Sequence, residues 1–108
     1  MSKYLLIESR DPYESGDGDF IPSLAAQLTA KGKEVTILLV QNGVLPARTN
    51  AERGKLSQAL EAGVTVLADS FSLRERGIGD SDIAPTIRPV QLDVVIDAMA
   101  DGIKTIWH

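Results

Sequence analysis

The sequence predicts an α/β fold: a single three-layer α/β/α domain over residues 1–108, with a mainly parallel sheet of four to five strands. Two observations lead to this prediction. Short apolar runs without polar alternation, at 4–7, 35–40 and 64–68, are typical of strands buried on both faces. Stretches with helical spacing of apolar residues separate these runs, so strands and helices alternate along the chain. At 108 residues the core is large enough to fold without disulfides.

The first half of the chain predicts one βαβ unit. A strand over 4–7 is followed by a loop over 9–18 rich in Asp, Pro, Ser and Gly. Asp19 is the predicted cap of a helix that ends at Gly32, with Pro22 in its first turn. The helix presents an apolar stripe of Phe20, Leu24, Ala25 and Leu28. A second strand over 35–40 then runs parallel to the first through a right-handed crossover.

The second half predicts two more strands and three helices. A helix begins at Asn50 and ends at Gly63, before the strand at 64–68. A short helix from about Ser70 to Arg76 follows, and residues 77–89 are predicted as a loop. The last helix, 93–100, is predicted to bury Leu92, Val95, Ile96 and Met99. A fourth strand over 103–107 completes the sheet.

Composition and charge exclude several classes of partner. A formal charge of −4 with scattered basic residues argues against nucleic acid and against an anionic membrane surface. No stretch approaches the length of a membrane span, and the first residues lack the apolar run of a signal peptide. We therefore expect a cytoplasmic protein. With no cysteine and a single histidine, His108, we expect no metal site and no cofactor.

Several motifs together resemble the DsrE/DsrF/DsrH-like family of small sulfur-relay proteins. They are the polar, Pro-containing loop after the first strand and Lys-Gly-Lys-Glu-Val at 31–35. Further matches are Asn-Gly-Val at 42–44, Arg-Gly-Ile at 76–78 and Asp-Gly at 101–102. The resemblance implies a cytoplasmic protein that assembles into trimers or hexamers, with itself or with a related DsrE-like subunit. Leu45, Phe71, Leu73, Ile78 and Ile83 are apolar residues in or near predicted loops that such an assembly would cover.

The chain departs from the family at one position that decides its chemistry. In active members a cysteine eight residues before the glycine of the Arg-Gly accepts sulfane sulfur and passes it on; the matching residue here is Asp69. A carboxylate oxygen cannot hold a persulfide. The fold is thus implied without the sulfur-carrier activity, because function depends on the site.

Asp69 and Ser70 lie at the carboxyl end of the third predicted strand, where parallel sheets bind ligands. Asp69 can serve as a general base, a cation ligand or a phosphoryl acceptor; alternatively, Asp69 or Ser70 simply caps the next helix. Asn42 and Gly43 end the neighbouring strand. They form either a plain turn or a ligand contact, with Gly43 permitting close backbone approach.

The loop over 9–19 is the most ligand-like stretch. Arg10 can hold an anion and Tyr13 can stack on a small molecule, although a solvated loop explains the same composition. Carboxylates could help His108 to bind a metal, but no pattern in the sequence places them nearby; Trp107 is expected at the sheet edge or a subunit contact.

Three functional hypotheses follow. The first is a non-catalytic DsrE-like protein that acts as an oligomeric scaffold, a partner subunit or a small-ligand binder. The second is a small hydrolase or lyase with Asp69 as general base and Asn42 and Arg10 completing the site. The third is a phosphate-receiving domain, for which only Glu8 and Asp11 are available as a metal-binding pair.

Overall fold

Five parallel strands form the central layer of the computed structural model, which describes residues 3–14 and 16–108. Along the chain the elements are β1 (Lys3–Glu8), α1 (Phe20–Ala30), β2 (Glu34–Leu39), α2 (Lys55–Glu61), β3 (Thr65–Asp69), α3 (Ser70–Glu75), β4 (Ile87–Val90), α4 (Asp93–Ala100) and β5 (Lys104–Trp107). Two 3₁₀ helices cover Gln41–Ala47 and Asp80–Asp82. This is the predicted α/β fold with a parallel sheet of five strands.

The strand order β4-β3-β2-β1-β5 explains why helices cover both faces of the sheet. The chain steps from β1 to β4 in one direction, so right-handed crossovers keep α1, α2 and α3 on one face. It then crosses from β4 at one edge to β5 at the other. The same handedness over this reversed direction places α4 on the opposite face.

Two apolar cores result from this arrangement. On the first face Leu6, Ile37 and Val66 of the sheet pack with Ile21 of α1 and Leu56 of α2. On the second face the alternate strand residues pack beneath α4; they are Leu5, Ile7, Leu38 and Leu67. Residues next to each other along a strand therefore enter different cores, which is why these strands read as continuous apolar runs.

The segment predicted as a loop over 77–89 contains regular structure, so that prediction was wrong. Its end forms β4, and Asp80–Asp82 form a 3₁₀ turn. Pro89 lacks an N–H and argued against a strand, but β4 lies at the edge of the sheet, where proline is tolerated. Residues 41–43, predicted as a turn, begin the longer 3₁₀ helix instead.

Three predicted details of the helices were also wrong. α2 begins at Lys55 rather than at Asn50, because the preceding residue, Gly54, has a φ of 51° that a right-handed helix does not allow. The side chain of Asp19 makes no capping hydrogen bond to α1.

The third detail is the face that α4 buries. Val95 packs on the sheet as predicted, together with Val94 and Ala98, but Leu92, Ile96 and Met99 are exposed. Of the five apolar residues expected to meet a neighbouring subunit, Phe71 is exposed, Leu73 and Ile78 are buried in the core, and Leu45 and Ile83 pack against it. Within 3–14 and 16–108, no helix is both long and apolar enough to cross a bilayer.

Candidate functional site

The carboxyl ends of neighbouring strands place most of the predicted site residues along one edge of the sheet. Glu8 ends β1, Asp69 ends β3, and Asn42 and Gly43 follow β2. β5 lies beside β1 and is followed by His108, so that residue reaches the same edge. The edge divides into two groups of side chains, one around Asp69 and one around His108.

Asp69 caps α3, as one of the two sequence-based alternatives predicted. Its Oδ2 accepts a hydrogen bond from the Ser72 backbone N–H at 3.0 Å and another from the Ser72 hydroxyl at 2.6 Å. Only 2% of Asp69 is exposed, and Ser72 is equally buried. The Ser72 hydroxyl oxygen in turn accepts from the backbone N–H of Gln41 at 2.8 Å. The carboxylate thus fixes both the start of α3 and the turn after β2.

That turn has an unusual backbone. Gln41 is the one residue other than glycine with a positive φ among 3–14 and 16–108, at 51°. This conformation strains a residue that has a Cβ, and such strain persists only where surrounding contacts hold it. The hydrogen bond from Gln41 to Ser72 is one such contact.

Gly43 is needed for close backbone approach, one of the two roles predicted for it. A Cβ at this position would collide with the carbonyl oxygen of Glu8. The turn therefore lies directly against the end of β1. Asn42 is exposed, and its Oδ1 accepts a hydrogen bond from Arg76 Nε at 3.0 Å. Ser70 is half-buried as the first residue of α3.

The two candidate residues of the 9–19 loop have partners within the chain. Arg10 Nη1 lies 3.1 Å from Asp17 Oδ2, and the Tyr13 hydroxyl donates to the backbone carbonyl of Glu52. A cavity lined by Glu8 and Arg10 lies beneath this loop, but its volume is about 20 Å³, the space of about one water molecule. That cavity is too small for a ligand, and ligand binding by Arg10 and Tyr13 stays a prediction.

His108 lies between two carboxylates that no sequence pattern placed near it. Its Nδ1 lies 3.0 Å from Glu8 Oε2, and its Nε2 lies 2.9 Å from Asp17 Oδ2. With Arg10 these residues form the His108 cluster, in which charges alternate from the buried Glu8 to the exposed Arg10. The cluster joins β1, the end of β5 and the 9–19 loop. Glu8 and His108 are 100 positions apart, so spacing along the sequence gave no signal of the contact.

The two carboxylates determine the charge of the imidazole. Burial disfavours the charged form and lowers the pKa of His108, but the hydrogen bonds and charges of Glu8 and Asp17 outweigh it. The pKa is therefore raised above the ordinary value of 6.5. A ring that donates from both nitrogens to carboxylates is an imidazolium. The Phe20 ring packs beside it, with ring centroids 4.9 Å apart.

The arrangement favours structural roles for both groups. A general base must reach a substrate proton, but the Asp69 carboxylate is buried and already accepts two hydrogen bonds. Both nitrogens of His108 are likewise engaged by carboxylates. Among residues 3–14 and 16–108, no three histidine or acidic side chains are grouped as metal ligands would be.

Comparisons with solved structures show the same fold in distant proteins. The E. coli ychN protein matches with a TM-score of 0.86 at 18% identity, and both chains are covered completely. MTH1491 of Methanobacterium thermoautotrophicum, a protein of unknown function, matches with a TM-score of 0.84 at 19% identity, also over both whole chains. BT1422 of Bacteroides thetaiotaomicron, another protein of unknown function, gives a TM-score of 0.75 at 16% identity over 99% of this chain and 95% of its own. At these identities the likeness concerns the fold alone.

Family membership rests on a different comparison. No curated protein matches the sequence. The model of the DsrE/DsrF-like family, however, matches residues 2–107, nearly the whole chain. The motifs at 31–35, 42–44, 76–78 and 101–102 lie within this match. The chain belongs to the DsrE/DsrF-like family.

Proposed function

We propose that this protein is a non-catalytic DsrE-like subunit that assembles with copies of itself or with a related subunit and carries no sulfur. The strongest support is that the position of the sulfur-carrying cysteine is occupied by Asp69. The resemblance places the sulfur-carrying cysteine at this position, where the chain has a buried carboxylate that caps α3. No cysteine occurs elsewhere in the 108 residues to replace it. The expected compartment of such a subunit is the cytoplasm.

An exposed apolar surface supports the assembly. Leu92, Ile96 and Met99 follow one another at helical spacing along the outer side of α4, with 47, 69 and 63% of each residue exposed. Trp107 is 62% exposed on the edge strand β5. It pairs with Ile7, whose side chain enters the core beneath α4, so the Trp107 side chain lies on that same face. We call these four residues the α4 surface.

A second copy of the chain is the partner we propose for the α4 surface. Exposed apolar residues gathered on one face support an interaction site, and aromatic residues and methionine are enriched at interface cores. The acidic residues Asp93, Asp97 and Asp101 accompany the surface on α4. They are suited to a polar rim around an apolar centre. Trimers or hexamers are the assemblies that the resemblance implies.

Light scattering on Ile96→Lys tests the assembly. This change places a charge at the centre of the α4 surface while keeping good helix propensity. We expect the wild-type chain to form an oligomer at micromolar concentration and the variant to be a monomer. Gln27→Lys is the control, because it adds the same charge to an exposed position of α1, on the opposite face of the sheet. A monomeric wild type, or equal dissociation of both variants, would contradict the proposal.

Incubation with polysulfide followed by intact-mass measurement tests the missing sulfur chemistry. We expect the wild-type protein to gain no sulfur, because a carboxylate forms no persulfide. Asp69→Cys is the informative control: it restores a thiol at the start of α3, where the helix terminus favours a thiolate. A sulfur adduct on the variant alone would support the proposed correspondence, whereas a stable adduct on the wild type would refute it.

The alternative of a hydrolase or lyase requires Asp69 to reach a substrate. Its two bonds to Ser72 and its burial oppose that reading in this conformation. Asp69→Asn separates the two ideas, because asparagine caps helices as well as aspartate but is no general base. Loss of a turnover or of ligand binding without loss of thermal stability would favour the enzyme.

A further inference from the structure

An open cleft of about 430 Å³ lies beside the Asp69 group and is used by neither of the roles above. Its walls are residues 48–51, residues 76–78 and Asp82. A hydrogen bond from the backbone N–H of Thr49 to the carbonyl of Asp82, at 2.7 Å, joins the 48–51 wall to the Asp82 wall. The 76–78 wall turns at Gly77, which has a φ of 68°. Backbone geometry therefore builds this feature, which we call the arginine cleft.

Two guanidinium groups line the cleft, and hydrogen bonds to acceptors of the protein orient both of them. Arg76 donates from Nε to Asn42 Oδ1 at 3.0 Å and from Nη1 to the Ser72 carbonyl at 3.1 Å. Arg48 donates from Nε to the Leu45 carbonyl at 2.9 Å. Within 3–14 and 16–108, Arg76 Nη2 and both Nη atoms of Arg48 make no hydrogen bond or ion pair. Oriented donors thus remain available to a ligand.

The local charge is positive although the protein is acidic. Arg48 and Arg76 oppose a single lining carboxylate, Asp82, whereas the whole chain has a net charge of −4. Arg53 adds a third positive charge close by, since its Nη2 donates to the Arg48 carbonyl at 2.9 Å. Arg76 is distant from Arg48 and Arg53 in the sequence, and the fold brings it to the same cleft. An excess of positive charge in a cleft selects an anion.

We propose that the arginine cleft binds the phosphate group of a small molecule. A phosphate has three terminal oxygens and, near neutral pH, close to two negative charges. It can accept from both guanidinium groups at once and from the polar side chains of Thr49 and Asn50. The cleft volume lies within the roughly 300–1,000 Å³ of small-molecule sites, so the ligand can be larger than phosphate alone. The site is independent of the proposed assembly.

NMR titration of the full chain with inorganic phosphate at constant ionic strength tests the site. We expect saturable shifts of the amides in 48–51 and 76–78. Arg48→Gln and Arg76→Lys should each weaken binding by about tenfold or more, the first through loss of charge and the second through loss of the planar fork. Asp82→Asn should strengthen binding, because it removes the like charge from the wall. The amide spectrum of each variant shows whether it is folded.

Arg74→Gln is the control for general electrostatics. It removes the same charge two positions from Arg76, but its side chain lines a different cleft, so we expect a change of less than about twofold. Equal weakening by Arg74→Gln and Arg48→Gln would overturn the proposal, as would a titration that does not saturate. Acetate is the control for ligand class, and acetate binding as tight as phosphate would overturn the assignment to phosphate.

Discussion

At the scale of single residues, Asp69 shows how a side chain at a candidate site can be needed by the fold. Its carboxylate accepts both hydrogen bonds of Ser72, and the Ser72 hydroxyl accepts the backbone N–H of Gln41. Asp69 was predicted as a cap because the N–H groups in the first turn of a helix lack partners within the helix. A side chain just before the helix can accept hydrogen bonds from them. The link to Gln41 was not predictable, since it joins residues from two different strand ends.

Asp69→Ala should lower the free energy of unfolding by roughly 1–3 kcal/mol. The variant loses the cap and leaves the buried Ser72 hydroxyl without its acceptor. Asp69→Asn retains an acceptor oxygen at the same place, so its loss should be smaller. Urea denaturation of both variants measures the difference. Equal stability of Asp69→Ala and the wild type would mean that the cap contributes nothing.

At the scale of elements, the His108 cluster joins three segments that the sequence separates widely: the end of β1, the 9–19 loop and the end of β5. β1, β2 and β3 could be predicted because each contains a continuous apolar run, and β5 because Gly102 stops the preceding helix. β4 could not, because an exposed Arg88 and Pro89 interrupt its apolar pattern. Contacts such as Glu8–His108 depend on strand order, which periodicity along the chain does not encode.

The His108 cluster predicts a stability that falls as pH rises. The pKa of His108 is raised above 6.5 in the folded protein, so folding takes up a proton in this range. The contribution of the imidazolium is therefore complete below the unfolded pKa of about 6.5 and is lost as pH rises through the higher folded pKa. The difference in unfolding free energy between the wild type and His108→Asn should shrink over that window. A difference that does not vary with pH would contradict the prediction.

The same cluster can be tested at its other end. Glu8→Gln removes the negative charge beside Nδ1, and we expect it to lower the titration midpoint of the His108 ring. The chain has one histidine, so its ring signals in proton NMR are unambiguous. Glu14→Gln is the control, because it removes an exposed charge from the same loop. An unchanged midpoint in Glu8→Gln would show that Glu8 does not hold the proton on the ring.

At the scale of the whole molecule, the two faces of the sheet are covered unequally. Among residues 3–14 and 16–108, three helices and the longer 3₁₀ helix pack on one face, whereas α4 is the one helix on the other. The sequence predicted three layers and the packing of Val95, but it also assigned the exposed Leu92, Ile96 and Met99 to the buried face of α4. Both sides of that helix are apolar, so its spacing could not distinguish them. A helix that is apolar on two sides is what a subunit interface requires in addition to a core.

The unequal coverage of the two sheet faces predicts that local unfolding begins at α4. Ala98 is the only residue of α4 that is buried among those described, so few contacts hold the helix to the sheet. In monomeric Ile96→Lys, amides of α4 should exchange with solvent at least about tenfold faster than those of β1 and β2. In the assembled wild type, a partner on the α4 surface should slow that exchange and leave α2 unaffected. Hydrogen exchange with mass spectrometry measures both. If the amides of α4 in the monomer exchanged as slowly as those of β1, α4 would be as stable as the centre of the sheet. That result would remove this argument for a partner on the α4 surface.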